Sequence, residues 1–595
     1  MTAAAGLRDL AVRLERGSGP LLLTADDLQV PTAGLGELTG DPRPVTRALV
    51  SRETAADVRP AARSGRRSGA VRRRGGLVVS AGSSVHEVGR PDGVFVGAIE
   101  VAEADRSGAA DAARAAADLA DRDDWDADPI DLLLVAMVRS GLAVTAVAAD
   151  PWPWRRGAAG SERAEVAAAH DAIGPDEVHR IRLARATKAD DGLVATVLSR
   201  PLARSLTPLA LRAGLTPNAI TAGSLVIGLG AAVAFAVGDR WALVLGAVLL
   251  QLSLVVDCVD GDVARYTRRF SAAGAWLDAS TDRLKEFACY GGLAVGAVAG
   301  GTDGGPWLLA AAMLTLQTAR HTVDYTFTAV KDDRESESAV LPLDQPGDAA
   351  AVTGSPAAAR AVEASERSNR RPAVRWVKKA LHLGIGERWL VLSVLAAAGR
   401  PAGALAVLLV LGLASLAYTS AGRTLRARSW PATEPSARER EVVEAQVDLV
   451  PLVGLASRLA ARVAAGRSRF LWVRPAVIRL LEYAVVVTVV ALVDEDASDA
   501  AYALLLVVAS HHYDDLYRVL NRLSPPPAPV VLAGLGAVGR VLVVVVLAAA
   551  GGSALEGGLW VLAALLGILY LVVEPVRVLR EVRRSAPPAP EVLDG

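Results

Sequence analysis

At 595 residues the chain is long enough for three or more domains, and 52% apolar content beside 22% charged residues points to membrane and soluble parts in series. Lys plus Arg balances Asp plus Glu at 64 each, so the net charge excludes no class of partner, and only the distribution of charge informs. Two cysteines, Cys258 and Cys289, both inside apolar stretches, exclude a disulfide framework and a cysteine-based zinc site.

The start, MTAAAGLRDLAVRLERGSG, lacks the basic opening and apolar run of a signal peptide, so the N-terminal region is expected to stay in the cytoplasm. Residues 1–180 contain no apolar run of membrane length. They alternate short β-like runs (LLLTADDL from Leu21, GGLVVSAG from Gly75, VFVGAIEV from Val94 and LAVTAVAA after Ser140) with Ala-rich helical segments at 108–119 and 130–140. This pattern predicts a soluble α/β domain. The tract RPAARSGRRSGAVRRR, residues 59–74, reads as a disordered basic loop; a nucleic-acid arm is the weaker reading because no aromatic residues interleave the arginines, and no nucleic-acid partner is expected.

Residues 181–218 form a basic, amphipathic approach to a membrane whose arginines suit anionic headgroups. Pro217 breaks one helix there, and Thr216 or Asn218 caps the next. Apolar spans follow near 219–237, 242–262, 274–299, 306–328, 387–399 and 402–421. Arg265, Arg268 and Arg269 fall on the same side as Lys331, Arg334, Arg423, Arg426 and Arg428, and the positive-inside rule assigns that side to the cytoplasm.

Within the second and third spans lies D-x2-D-G-x2-A-R-x8-G-x3-D-x3-D, made by Asp257, Asp260, Gly261, Ala264, Arg265, Gly274, Asp278 and Asp282. Asp257, Asp260, Gly261 and Ala264 fall within roughly 100° of one helical face, and Gly274, Asp278 and Asp282 line one face of the next helix. Two helices thus offer four carboxylates to one cavity in a setting where ionised groups are costly. Buried ion pairs that merely hold helices together are the bland alternative, and it fits poorly because Arg265 alone cannot neutralise four acids. The chemistry that suits the constellation is phosphoryl transfer, with hard oxygen ligands favouring two Mg²⁺ or Mn²⁺ ions and a carboxylate receiving the proton of an attacking hydroxyl. Gly261 allows close approach of a phosphate, and Arg265 offers a charged fork.

Further along, Arg320 and Asp324 stand four apart, which suits an intrahelical pair; the alternative is that Arg320 and His321 line an acceptor pocket. Residues 331–380 read as a flexible polar loop. Spans near 477–493, 500–512, 533–550 and 558–573 then predict a second, roughly four-helix membrane region. In HHYDDLYR, residues 511–518, His511, Asp514, Asp515 and Arg518 share roughly one face. An interfacial anchor with internal ion pairs is the favoured reading there, and a second metal or phosphate site the other.

The acidic pattern resembles the signature of the CDP-alcohol phosphatidyltransferases at every fixed position. The resemblance implies a six-helix membrane core at 219–428 that transfers the phospho-alcohol of a CDP-linked donor, CDP-diacylglycerol or a CDP-polyol, to a polar alcohol with release of CMP. It implies that Asp257, Asp260, Asp278 and Asp282 are ligands of two divalent ions and that Asp282 is also the base. It further implies that Pro217, Asn218, Thr221, Gly261, Ala264, Arg265 and Gly274 surround the CDP diphosphate, and that the protein is a homodimer. The stretch Lys188 to Gly192 resembles the linker of fused cytidylyltransferase and inositol-phosphate transferase proteins. Residues 1–180, with Asp26 and Asp27 closing an apolar strand, resemble a shortened sugar-phosphate nucleotidyltransferase; lacking a G-x-G-T-R-like stretch, this domain is expected to be non-catalytic. Residues 429–595 resemble an appendage on actinobacterial members of the family, for which the resemblance implies no chemistry.

The expected product is a phospholipid, made at the cytoplasmic face of the cell membrane. A soluble polyol phosphodiester is the second possibility, and an inactive scaffold or transporter the third.

Overall fold

The computed structural model describes residues 2–585, apart from 41–43, 53–68, 158–163, 338–341, 346–353, 448–467 and several shorter stretches. The chain forms two compact units. One comprises Met1–Arg185, Tyr266–Phe270 and Lys331–Val352, and the other comprises Ala186–Arg265, Ser271–Val330 and Thr353–Gly595.

The first unit is α/β. Its elements are α1 (Ala3–Glu15), β1 (Leu21–Thr24), β2 (Leu28–Gln29), α2 (Thr32–Thr39), β3 (Arg47–Ser51), β4 (Ala70–Arg74), β5 (Leu77–Ala81), β6 (Gly93–Val101), α3 (Arg106–Arg122), α4 (Pro129–Arg139), β7 (Thr145–Ala148), β8 (Arg155–Arg156) and α5 (Pro175–Ala186). The main sheet runs β1-β6-β3-β7-β5-β4, with β3 and β7 parallel and the other neighbours antiparallel. All nine residues of β6 are buried, and its one charged residue, Glu100, pairs with Arg47 of β3 at 2.6 Å. Alanines 109, 113, 116 and 120 make a small-residue face on α3 that lets α1 approach closely and bury Leu7, Leu10 and Leu14. Asp128 caps α4 by accepting from the Ile130 amide at 2.8 Å, with Pro129 at the first helical position.

One expectation changes here. Residues 70–74 are a strand, with Arg73 Nε 3.2 Å from Asp92 and Arg72 donating to the Gly89 carbonyl; residues 59–68 of the same basic tract lie outside the described residues. Asp27 is held by Arg156, which also reaches Asp128 and Asp131 at 2.7 Å each, so it is a structural ion-pair partner.

The second unit is helical: α6 (Arg200–Arg212), α7 (Pro217–Val237), α8 (Arg240–Thr267), α9 (Ala272–Ala299), α10 (Pro306–Glu337), α11 (Pro356–Ser368), α12 (Pro372–His382), α13 (Ile385–Ala397), α14 (Pro401–Ser429), α15 (Ala437–Glu444), α16 (Arg474–Val493), α17 (Ser498–Leu520), α18 (Ala528–Ala533), α19 (Gly536–Ala550), α20 (Gly552–Gly567) and α21 (Glu574–Ser585). Six helical stretches, Pro217–Val237, Arg240–Thr267, Pro401–Ser429, Arg469–Val493, Ala528–Ala550 and Gly552–Val578, are long and apolar enough to cross a membrane. Helices α12 and α13, bent by 66° at their junction, add a seventh if counted as one span. The chain is a multi-pass membrane protein. Helices α9, α10 and α17 are of spanning length but carry charge, and they bury that charge inside the bundle: Arg283, Lys285 and Glu286 on α9, Arg320 on α10 and Arg518 on α17 are all buried.

Helices α7 and α9 meet through backbone. A Cβ on Gly292 would stand 2.2 Å from the Ala232 carbonyl, and one on Gly296, a turn later, 2.1 Å from that of Phe235. The expectation of a loop over 331–380 is corrected: α10 continues to Glu337, and α11 and α12 fill much of the remainder.

Candidate active site

Two N-caps fix where the helices of the site begin. Thr216 accepts from the Ala219 amide at 3.3 Å at the start of α7, and Ser271 accepts from Gly274 at 2.9 Å at the start of α9. From these starts, α8 brings Asp257, Asp260 and Gly261, and α9 brings Asp278 and Asp282, to a cavity of about 580 Å³ that Arg265 also lines.

Asp257, Asp278 and Asp282 each offer a ligand oxygen within 4.8 Å of the others. Asp260 lines the same cavity but turns Oδ2 to the Thr221 hydroxyl at 2.5 Å. A fifth charge, missed in the sequence reading, sits among them. Lys285 Nζ is 2.6 Å from Asp257 Oδ1, 3.0 Å from Asp282 Oδ1 and 2.8 Å from Ser224 Oγ, and its side chain is fully buried. Gly228 makes that possible, because a Cβ there would lie 2.7 Å from the Lys285 Cγ and Cδ atoms. The spacing holds the signal that would have found it: Lys285 follows Asp282 by three positions, on the same helical face.

Three carboxylates of hard oxygen donors, with Asp282 Oδ1 buried and lacking a hydrogen bond of good geometry, suit a divalent cation of the magnesium or manganese kind. Arg265, expected as a phosphate fork, is partly engaged. Its Nη2 donates to Asp262 at 2.7 Å, and its Nε donates to the Ala186 carbonyl. Asp262, a buried acid absent from the expected set, also faces Arg200 Nη1 at 3.3 Å, so it serves as counter-charge to two arginines. Gly261 leaves space for Arg265, whose guanidinium would lie 3.0 Å from an added Cβ. Of the residues expected around the diphosphate, Pro217, Asn218, Thr221, Ala264 and Gly274 are not cavity-lining; Asn218 Oδ1 stands 3.3 Å from where a Cβ on Gly274 would be.

The linker stretch that begins at Lys188 contributes to the same cavity. Lys188, Asp191 and Arg200 line it, and Arg200 grips Asp191 through Nε at 3.0 Å and Nη2 at 2.8 Å.

Further basic side chains line the cavity: Arg283, Arg320, His321, Arg388 and Arg423. Glu286, fully buried, accepts from Arg283 at 2.6 Å and from Arg388 at 2.6 and 3.0 Å. Asp324 pairs with Arg423 and not with Arg320, which instead donates to Gln317 Oε1, the His382 carbonyl and Ser415 Oγ. The intrahelical pair anticipated from the four-residue offset is therefore corrected.

The polar segment at 511–518 is internal, not interfacial. Arg518 joins Asp514 at 2.6 Å and Glu574 at 3.0 Å, Trp276 Nε1 donates to Asp514 at 2.7 Å, and the His511 ring stacks on Tyr570. His511, Asp514 and Asp515 do bring potential ligand atoms within 4.8 Å, but Asp514 is committed to Arg518 and Trp276.

Membrane-length helices that bring clustered carboxylates and a group of arginines to one polar cavity define a polytopic membrane protein. The comparison with known families is narrower: residues 214–341 match the family model described as CDP-alcohol phosphatidyltransferase. Residues 429–594 match a family of unknown function, DUF5941.

Among curated proteins the chain is similar to the phosphatidylinositol phosphate synthase of Mycolicibacterium smegmatis, at 40% identity over 124 residues, 21% of this chain and 52% of that protein. It is similar to the bifunctional IPC transferase and DIPP synthase of Aquifex aeolicus, at 32% over 136 residues, 23% of this chain and 30% of the relative. It is also similar to the archaetidylinositol phosphate synthase of Methanothermobacter thermautotrophicus, at 36% over 106 residues, 18% of this chain and 51% of the relative. The chain thus spans about half the length of the two synthases and under a third of the bifunctional protein.

Proposed function

We propose that this protein transfers a phosphatidyl-type group from a CDP-linked lipid to a hydroxyl of a phosphorylated cyclic polyol and releases CMP. The observation that carries the reading is one cavity lined both by a carboxylate triad and by a cluster of arginines and a histidine. The names of its synthase relatives favour an inositol phosphate as acceptor and a phospholipid as product.

Asp257, Asp260, Asp278 and Asp282 are the ligands for divalent ions, which when bound would neutralise charge building on the donor's diphosphate. Asp282, which also faces Arg283, takes the proton of the acceptor hydroxyl. The hydroxyl oxygen then bonds to the donor's β-phosphorus as the bond from that phosphorus to the CMP oxygen breaks, and CMP leaves with the electron pair. Arg265 and Gly261 face the diphosphate. Arg320 and His321 face the acceptor, joined by Arg283 and Arg388, whose charge exceeds that of Glu286 and so favours a phosphate-bearing substrate. The arginine-rich helix ends support a site at the cytoplasmic side of the membrane.

The test is CMP release by detergent-purified full-length protein with Mg²⁺ or Mn²⁺, offering CDP-diacylglycerol and CDP-inositol separately against inositol phosphate, glycerol phosphate and free inositol. Metal-dependent release from CDP-diacylglycerol with inositol phosphate, absent in Asp278→Asn, is expected. Release from CDP-inositol alone would replace the lipid donor by a polyol donor. No release from either donor, by folded protein, would remove the reading.

A further inference from the structure

One residue of the cavity wall comes from the C-terminal stretch 429–594. Tyr517, on α17 within the stretch that matches a family of unknown function, lines the same cavity as Asp282, Arg320 and His321. Its ring meets Tyr325 of α10 edge to face at 5.6 Å and stacks on Tyr513 at 5.8 Å. Helix α17 is clamped to α9, the helix bearing Asp278 and Asp282: Tyr502 donates to the Phe287 carbonyl at 2.5 Å, and Trp276 donates to Asp514 at 2.7 Å.

Tyr513, one turn before Tyr517, reaches His321, with its hydroxyl 2.6 Å from His321 Nδ1. Arg320 donates to Gln317 Oε1 at 3.0 Å, which turns the Gln317 amide nitrogen toward His321 Nε2 at 2.5 Å. His321 is thus held between Gln317, Tyr513 and Arg283, whose Nη1 lies 3.2 Å from Nδ1 and 3.3 Å from Nε2.

We infer that the C-terminal region supplies one wall of the acceptor subsite, with Tyr517 presenting a ring to the C–H face of a cyclic polyol phosphate and Tyr513 acting as the positioning residue for His321. This rests on the acceptor reading above. An aromatic ring packs against the apolar face of a cyclic polyol while the arginines hold its phosphate, so ring and charge together select for size and phosphorylation. It gives the appended region a role in recognition, although none of the clustered aspartates lies within it.

The test is equilibrium binding of myo-inositol 1-phosphate and, separately, of CMP to full-length protein with Mn²⁺, alongside the steady-state KM of donor and acceptor. Tyr517→Leu is expected to weaken inositol phosphate binding at least tenfold and raise the acceptor KM in step, with CMP affinity and donor KM within twofold of wild type. Tyr517→Phe, which keeps the ring, should remain near wild type, and Tyr513→Phe should lie between, at about threefold to tenfold. Unchanged inositol phosphate binding in Tyr517→Leu overturns the inference, as does parallel loss of CMP and inositol phosphate affinity, which would mark a merely structural role. Wild-type protein that binds CMP but not inositol phosphate would remove the acceptor reading itself, and this inference with it.

Discussion

Lys285 Nζ lies 2.6 Å from Asp257 Oδ1 and so ties the carboxylates of α8 to the helix that carries Asp278 and Asp282. A fully buried ammonium shared between two acids does what a bound cation would also do: it offsets their repulsion. Lys285→Met is therefore expected to lower the unfolding midpoint of metal-free protein and to enlarge the rise produced by Mn²⁺. Thermal unfolding with and without Mn²⁺ measures both. A Mn²⁺ response equal to or smaller than that of wild type would show that Lys285 is not the counter-charge of the cluster.

Asp282 differs from the other two triad acids by facing Arg283, whose Nη2 is 3.8 Å away. Removing a general base typically costs 10²–10⁴ in rate, and here the residue is a ligand as well. Asp282→Asn should lower kcat by at least about a thousandfold with CMP affinity retained, and Asp260→Asn should lower it less, because Asp260 is already engaged by Thr221. Single-turnover CMP release and CMP binding separate these expectations. Retention of wild-type turnover in Asp282→Asn would remove it as the base.

The acid pattern was legible in the sequence because helical offsets are local: Asp257 and Asp260 share a face whatever surrounds them. Lys285 and Asp262 were less so, since attention to acids that point together passes over the cation a turn later and the acid that points away to Arg200. The strand at 70–74 was hidden by three consecutive arginines, whose charges mask the period-two alternation; Arg72 and Arg73 are satisfied by Gly89 and Asp92, partners in the turn before β6. Helices α11 and α12 were read as loop because their polar composition resembles a disordered segment. Tyr517 was beyond reach: no local signal tells which of four later helices will pack against α9.

In the α/β unit, His86 is buried between the Ser83 hydroxyl and the Leu343 carbonyl, at 2.8 and 2.9 Å. Burial pushes it down to about 4 from an ordinary 6.5, with Arg139 adding to the shift and the Leu343 carbonyl opposing it. A base whose folded value is depressed stays neutral in the native state while the unfolded chain takes up a proton. Its contribution is therefore intact above about 6.5 and is lost as pH falls toward about 4, by at most about 3 kcal/mol. Unfolding of full-length protein followed by hydrogen exchange in β5 and β6 should show protection decreasing over that window. His86→Gln should flatten the decrease, and an unchanged slope in that variant would assign the acid sensitivity to other groups.

Glu286 is the one carboxylate between Arg283 and Arg388 and also accepts from the Tyr290 hydroxyl at 2.8 Å. Removing its charge takes away the counter-ion that two buried guanidinium groups share, leaving Arg283 only the more distant Asp282 at 3.8 Å, an arrangement that costs about 3–5 kcal/mol. The arginines would then draw closer to any bound phosphate, so the effects on stability and on binding should have opposite signs. Glu286→Gln is expected to unfold several degrees lower than wild type in detergent and to bind inositol phosphate more tightly while CMP affinity holds. Pairing it with Arg388→Gln should restore part of the lost stability, because that double variant removes one of the two orphaned charges. If the double variant were less stable than the Glu286→Gln single variant by the full cost of Arg388→Gln alone, Glu286 and Arg388 would be energetically independent and the counter-ion role would be wrong.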